Sequence, residues 1–153
     1  MSGPTASGTN TKARPSTVLI GLDWGTTSLR AYRIAASGEV LQARIVTAGI
    51  LKPPNGGFPE ALASVAGDWA RTYPDAVLLA SGMVRSRQGW VEVPYVDLPA
   101  TLSAVAHACV EVTVGSEQVL YVVPGVAARG EDVSADVMRG EETQAFGALP
   151  DSG

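Results

Sequence analysis

The sequence predicts an α/β domain on a mixed sheet of five strands, in the order β-β-β-α-β-α-β-α, and three observations carry that prediction. First, three short runs rich in Val, Ile, Leu and Tyr follow one another between residues 18 and 46 with only turn-length gaps, the pattern of an antiparallel meander. Second, two later apolar runs, 76–80 and 118–123, are each preceded by a stretch of helical spacing. Crossovers of that kind favour parallel pairing. Third, the tip of the first hairpin carries an acid at the end of a buried strand, then a glycine and a cluster of hydroxyls.

Strand one covers residues 18–23, and Trp24-Gly25-Thr26-Thr27-Ser28 turns the chain into strand two at 29–35. Ser37-Gly38-Glu39 then leads into strand three at 40–46. Residues 47–57 hold Gly49, Pro53, Pro54, Asn55, Gly56 and Gly57 and form a loop. The first helix runs over 59–73, with Phe58, Leu62, Val65 and Trp69 along one face, so Trp69 is a packing residue. Strand four, 76–80, lies between Pro74-Asp75 and Ser81-Gly82 and is parallel to strand one. A polar loop, 81–90, and an extended piece broken by Pro94, 91–96, precede a second helix over 99–109. Asp97 caps that helix, Leu98, Leu102 and Val105 are its buried residues, and His107 sits near its end in a structural role. Residues 110–114 add an edge strand, 118–123 form strand five, and Pro124-Gly125 opens a loop. The last segment, 136–149, has helical spacing at Thr143, Phe146 and Leu149. Residues 1–16, rich in Ser, Thr, Gly and Pro, are too polar to offset the entropy of ordering and form a disordered tail.

Composition narrows the function. The 153 residues are 46 % apolar, enough for one buried core, and only 17 % charged. Fifteen acids against eleven bases give a net charge of −4 with no basic block, which argues against nucleic acid or an anionic membrane as partner. A single cysteine, Cys109, rules out an internal disulfide and fits a reducing cytoplasm, where it serves as a small buried side chain. No window reaches the ~18 apolar residues needed to cross a bilayer.

The chemistry gathers at the first turn. Gly25, Thr26 and Thr27 offer backbone N–H groups and hydroxyls that can cradle a phosphate, and Asp23 can hold a hydrated magnesium ion beside them. An ordinary solvated hairpin loop accounts for the same residues, and the motif alone leaves both readings open.

The element order is the ribonuclease-H-like arrangement, and with Asp23-Trp24-Gly25-Thr26-Thr27 it resembles the N-terminal half of the actin/hexokinase superfamily of sugar kinases and ATPases. Three stretches narrow the resemblance: Ser81-Gly82-Met83-Val84; Gln88-Gly89-Trp90 with Pro94-Tyr95 and Pro99-Ala100; and the run from Val137 through Arg139, Gly140, Glu141 and Glu142 to Gln144. Together they are similar to the 2-dehydro-3-deoxygalactonokinase family over residues 18–149. Residues 17–149 would then be the first actin-like domain, and 150–153 the start of a linker to a second domain that supplies the adenosine pocket. The resemblance implies ATP-dependent phosphorylation of the terminal (C6) hydroxyl of 2-dehydro-3-deoxy-D-galactonate in galactonate breakdown, with ATP and Mg²⁺ as cofactors, and a chain that is incomplete alone.

On that footing Asp23 holds the metal, while Gly25, Thr26 and Thr27, with Arg30 one step into strand two, meet the phosphates. The acid substrate calls for a guanidinium, for which Arg87 is the choice, with Gln88 and Trp90 shaping the pocket. Glu141 and Glu142 open a helix and supply the base, and Arg139 beside them pairs with one of them or with substrate. Arg85 stands where the family usually has glycine and falls outside the implied roles. Two alternatives stay open: an exopolyphosphatase-type phosphatase of the same superfamily, and a non-catalytic sugar-acid-binding domain partnered by a separate second domain or by another copy of itself.

Overall fold

A computed structural model of the chain describes residues 15–128, the backbone of 136–138, and residue 143. The expected disordered tail falls almost wholly outside the described residues, as does most of the closing segment. The meander forms as the sequence predicts. Strands β1 (Thr17–Trp24), β2 (Leu29–Ala35) and β3 (Val40–Val46) pair antiparallel, with Asp23 opposite Arg30 and Leu22 opposite Ala31. Strand β4 (Val77–Gly82) runs parallel to β1, placing Ser81 beside Asp23 and Gly82 beside Trp24.

Helix α1 (Gly57–Thr72) crosses between β3 and β4. Its face of Ala61, Leu62, Val65, Ala66, Trp69 and Ala70 is buried against the β1 and β2 positions Ile20, Leu22, Leu29 and Ala31, forming the main core. Apolar residues at helical spacing on α1 meet alternate residues of the strands, so periods of 3.6 and 2 mesh on one surface. Trp69 also carries guanidinium groups over its ring, Arg44 at 4.1 Å and Arg33 at 5.7 Å. Arg44 in turn grips Asp68 with two hydrogen bonds of 2.6 and 2.8 Å. That grip holds the Asp68 carboxyl down at about 2. A lowered folded-state value stabilises the fold above the unfolded carboxyl's ~3.9, and the contribution is lost as pH falls through about 2. Asp68→Asn is therefore expected to cost below ~1 kcal/mol at neutral pH, because the pair is exposed to screening. The difference from the parent should vanish in urea titrations at the acid end of that window; a penalty that is flat across it would refute the pairing.

The second half departs from expectation in three ways. The main sheet has six strands, in the order β3-β2-β1-β4-β7-β6: the edge strand expected over 110–114 forms as β6 (Val110–Val114) and pairs antiparallel with β7 (Gln118–Val122), which itself lies parallel to β4, so the count of five falls one short. A separate three-stranded sheet joins β5 (Val96–Asp97), β8 (Val126–Ala128) and β9 (Asp136–Met138). Its strands are two or three residues long, below what a period-2 pattern can announce. The second helix, α2 (Leu102–His107), is shorter than the expected 99–109. Thr101, not Asp97, caps it, through a 3.1 Å bond from the Ala104 N–H to the Thr101 hydroxyl. Asp97 is taken up in β5 beside Ala127, four residues before that cap. Val105 is buried as expected, but Leu98 and Leu102 are 44 % and 63 % exposed. His107 ends α2, its ring Nδ1 donating to the Ser103 carbonyl at 2.7 Å. Cys109 is half-buried, and burial pushes its thiol pKa up, in keeping with an unreactive side chain. Among the described residues no helix is long and apolar enough to cross a membrane.

Candidate active site

β1 and β4 run in the same direction, so the turn after Trp24 and the loop after Gly82 leave the sheet side by side, at the strand ends where open α/β sheets gather ligands. Gly82 makes that exit with φ of 94°, and a Cβ there would lie 2.6 Å from the Trp24 carbonyl oxygen. Only glycine fits both demands.

The 25–28 turn is closed on one side only. The Gly25 N–H donates to the Ser28 carbonyl at 2.8 Å. A two-residue hairpin would add the return bond from Ser28 to Gly25, but here the Gly25 carbonyl accepts from the Ile50 N–H at 3.1 Å and the Thr26 carbonyl from the Leu51 N–H at 3.3 Å. The segment following β3 has captured the turn's acceptors. As a result the N–H groups of Thr26, Thr27 and Ser28 make no backbone hydrogen bond among the described residues. Thr26 and Thr27 are exposed. The capture is tight: a Cβ on Gly49 would lie 2.3 Å from the Thr26 oxygen and 2.4 Å from the Thr27 nitrogen. The Trp24 indole N–H adds a 3.0 Å bond to the Ala48 carbonyl. Sequence reasoning saw in residues 47–57 only a loop; the sole signal of its second role was Gly49.

Asp23 lies half-buried between β2 and β4, its Oδ2 3.3 Å from Nη1 of Arg30 across the β1–β2 pair. It lines a groove of about 310 Å³ with Gly21, Tyr32, Leu79, Ser81 and Thr143. Among the described residues no three acidic, histidine or cysteine side chains come together. Asp23 is a carboxylate of the kind that can contribute one ligand to a magnesium ion whose other positions are filled by water and phosphate.

The loop after β4 folds around two buried residues, Val84 and Arg85. The Val84 carbonyl accepts from Trp90 at 2.8 Å and from Val91 at 3.3 Å, and Gly89 approaches it so closely that a Cβ would lie 2.1 Å away. A cleft of about 530 Å³ opens beside them, lined by Arg85, Ser86, Arg87, Glu92, Val93, Pro94 and Tyr95. Of the expected substrate residues, Arg87 lines this cleft and is exposed, whereas Gln88 is exposed outside its lining. Trp90 is packed between the loop and the turn, stacked on Phe58 at 5.9 Å and edge-on to Trp24 at 6.0 Å. Arg85, passed over in the sequence, is the deepest charge of the loop. Arg139, Glu141 and Glu142 lie outside the described residues, but their neighbour Thr143 lines the Asp23 groove.

The fold is shared with a solved structure. A crystal structure from Sinorhizobium meliloti, described as "a putative 2-dehydro-3-deoxygalactonokinase protein", superposes with a TM-score of 0.72 at 34 % identity, over 85 % of this chain and 42 % of that one. The sequence profile of the 2-keto-3-deoxy-galactonokinase family matches residues 23–153, and the chain belongs to that family. It is 37 % identical over 130 residues to the 2-dehydro-3-deoxygalactonokinase of Escherichia coli (strain K12), covering 84 % of this chain and 41 % of that protein. A Rhizobium meliloti (strain 1021) protein named "Probable 2-dehydro-3-deoxygalactonokinase" is 36 % identical over 129 residues, covering 83 % of this chain and 40 % of that protein. The chain thus spans about two fifths of the length of these relatives.

Proposed function

We propose that this chain is the ribonuclease-H-like, actin-type first domain of a cytoplasmic sugar-acid kinase. It would act on the terminal C6 hydroxyl of 2-dehydro-3-deoxy-D-galactonate in galactonate catabolism, and be incomplete by itself. The observation that carries this reading is the turn whose Thr26, Thr27 and Ser28 N–H groups make no backbone hydrogen bond among the described residues, beside Asp23 and at the same sheet edge as a cleft lined by two arginines. Mg²⁺ and ATP, when bound, supply charge neutralisation and the transferable phosphoryl group. Thr26, Thr27 and Ser28 donate to the phosphate oxygens through backbone N–H groups, and Gly25 lets the chain turn there. Asp23 would hold the hydrated metal, and Arg30, paired with Asp23 at 3.3 Å, would add its positive charge beside the phosphates. Arg87 at the mouth of its cleft grips the substrate carboxylate, with Gln88 and Arg139 as further contacts and Trp90 fixing the loop. Glu141 or Glu142 accepts the proton as the hydroxyl attacks the γ-phosphorus and ADP leaves.

Isothermal titration of the chain with 2-dehydro-3-deoxy-D-galactonate, and separately with Mg-ATP, tests the reading. Binding of the sugar acid without binding of Mg-ATP is the expected result, and Arg87→Ala should weaken it by roughly tenfold, about 1.4 kcal/mol for one charged contact. Sugar-acid affinity no better than that of a neutral hexose would refute it.

A further inference from the structure

The segment that captures the 25–28 turn comes to it from the α1 face. Trp24 and Leu29 point to that face and share its core with Ala48 and Ile50, whereas Asp23 and Arg30, one residue along each strand, stand on the opposite face. The segment is fixed where it meets the turn. Ile50 and Leu51 donate to the Gly25 and Thr26 carbonyls at 3.1 and 3.3 Å, and the Lys52 N–H donates to the Gly49 carbonyl at 3.2 Å. Lys52 thus ends a tight turn whose first residue, Gly49, abuts the backbone of Thr26 and Thr27. Lys52 is exposed, as are Thr26 and Thr27. Its ammonium, with three donors on a flexible four-carbon stem, can reach over the turn it borders. A charge of that sign is needed there: the chain's net charge is −4, so its overall field repels an anion, and capture at exposed N–H groups depends on cations close at hand.

We propose that Lys52 is a phosphate-binding residue of the candidate site, donating from the α1 face to the oxygens of a phosphate held by the N–H groups of Thr26, Thr27 and Ser28. The inference rests on the kinase reading, which gives that turn its phosphates, and adds a residue to it. Arg30 borders the turn from the other face but is paired with Asp23 at 3.3 Å. Lys52 instead rides on the segment bonded to the turn itself. One set of backbone hydrogen bonds then diverts the turn's carbonyls away from its N–H groups and brings a cation beside them.

Inorganic tripolyphosphate, which carries the phosphates of a nucleotide and makes no demand on an adenosine pocket, is the probe. It is titrated to millimolar concentration into the 153-residue chain and followed by NMR of the backbone amides, because one turn holds its ligand weakly. In the parent the amides of Thr26, Thr27 and Ser28 should shift and saturate. Lys52→Gln should weaken binding by ~5-fold or more while the same amides still shift. Lys52→Arg keeps the charge and should hold close to the parental affinity, which a merely structural role for the lysine stem would not predict. Arg71→Gln removes the same charge from the last turn of α1, at the far end of the helix from Phe58 and Trp24, and should leave affinity unchanged. A Lys52→Gln chain that is folded by circular dichroism and binds like the parent overturns the inference and leaves the phosphate turn standing. An equal loss in Arg71→Gln overturns it too, since the effect would then be one of net charge. A parent whose Thr26, Thr27 and Ser28 amides do not respond overturns both the inference and the phosphate turn.

Discussion

Gly49→Ala is expected to unseat the 25–28 turn and lower stability by ~3 kcal/mol. The added methyl would fall 2.3 to 2.4 Å from three backbone atoms of Thr26 and Thr27, where no side chain can swing aside. Forced overpacking of this kind costs ~1–3 kcal/mol. Pushing the segments apart also loosens the bonds from Ile50 and Leu51 to the turn's carbonyls, worth ~0.5–1.5 kcal/mol apiece. For a domain of this size the melting temperature should drop by roughly 6–12 °C. Thermal unfolding followed by circular dichroism measures it, and a midpoint within ~2 °C of the parent would show that the two segments are not in the contact described. A chain extended to the length of its relatives should lose phosphoryl transfer as well, since the freed carbonyls can then take back the Ser28 N–H.

Asp23→Asn is expected to do the reverse: large in activity, small in stability. The side chain is 39 % exposed, and its one described ion pair, with the 47 % exposed Arg30, lies in the range of surface pairs, so the fold should lose less than ~1 kcal/mol. An amide keeps the size and loses the charge that draws a metal. A metal ion contributes several kcal/mol to stabilising a phosphoryl-transfer transition state, and each ~1.4 kcal/mol is a factor of ten. On the extended chain kcat should fall by ~10²-fold or more, with the midpoint of Mg²⁺ activation moved to higher concentration. Unchanged magnesium dependence would remove Asp23 from the metal's surroundings and shift attention to the groove's other side.

β1, β2 and the first helix were legible because each buries one face over seven or more residues, and β3 and β4 because each lies between clear turn signals. The turn after Asp23 was legible as a turn. What the sequence could not show was how residues 48–51 reach it: Gly49 looks like any loop glycine until the backbone it abuts is known. Asp97 misled because it is an ordinary capping residue near a helix, and only its pairing with Ala127 shows it occupied elsewhere. Arg85 was passed over for a different reason: the family it resembles usually has glycine there, and its burial follows from the fold of the loop onto Val84, against whose carbonyl Gly89 lies closely.

The strap from Trp24 to Ala48 and from Ile50 and Leu51 to the turn has a kinetic consequence. Three hydrogen bonds and a close backbone contact hold the 25–28 turn in shape, so an anion binding there as proposed requires no slow ordering of the chain. Association at this turn should then proceed at the pace of diffusional encounter, and changes that weaken capture should appear in how quickly the anion departs, not in how quickly it docks.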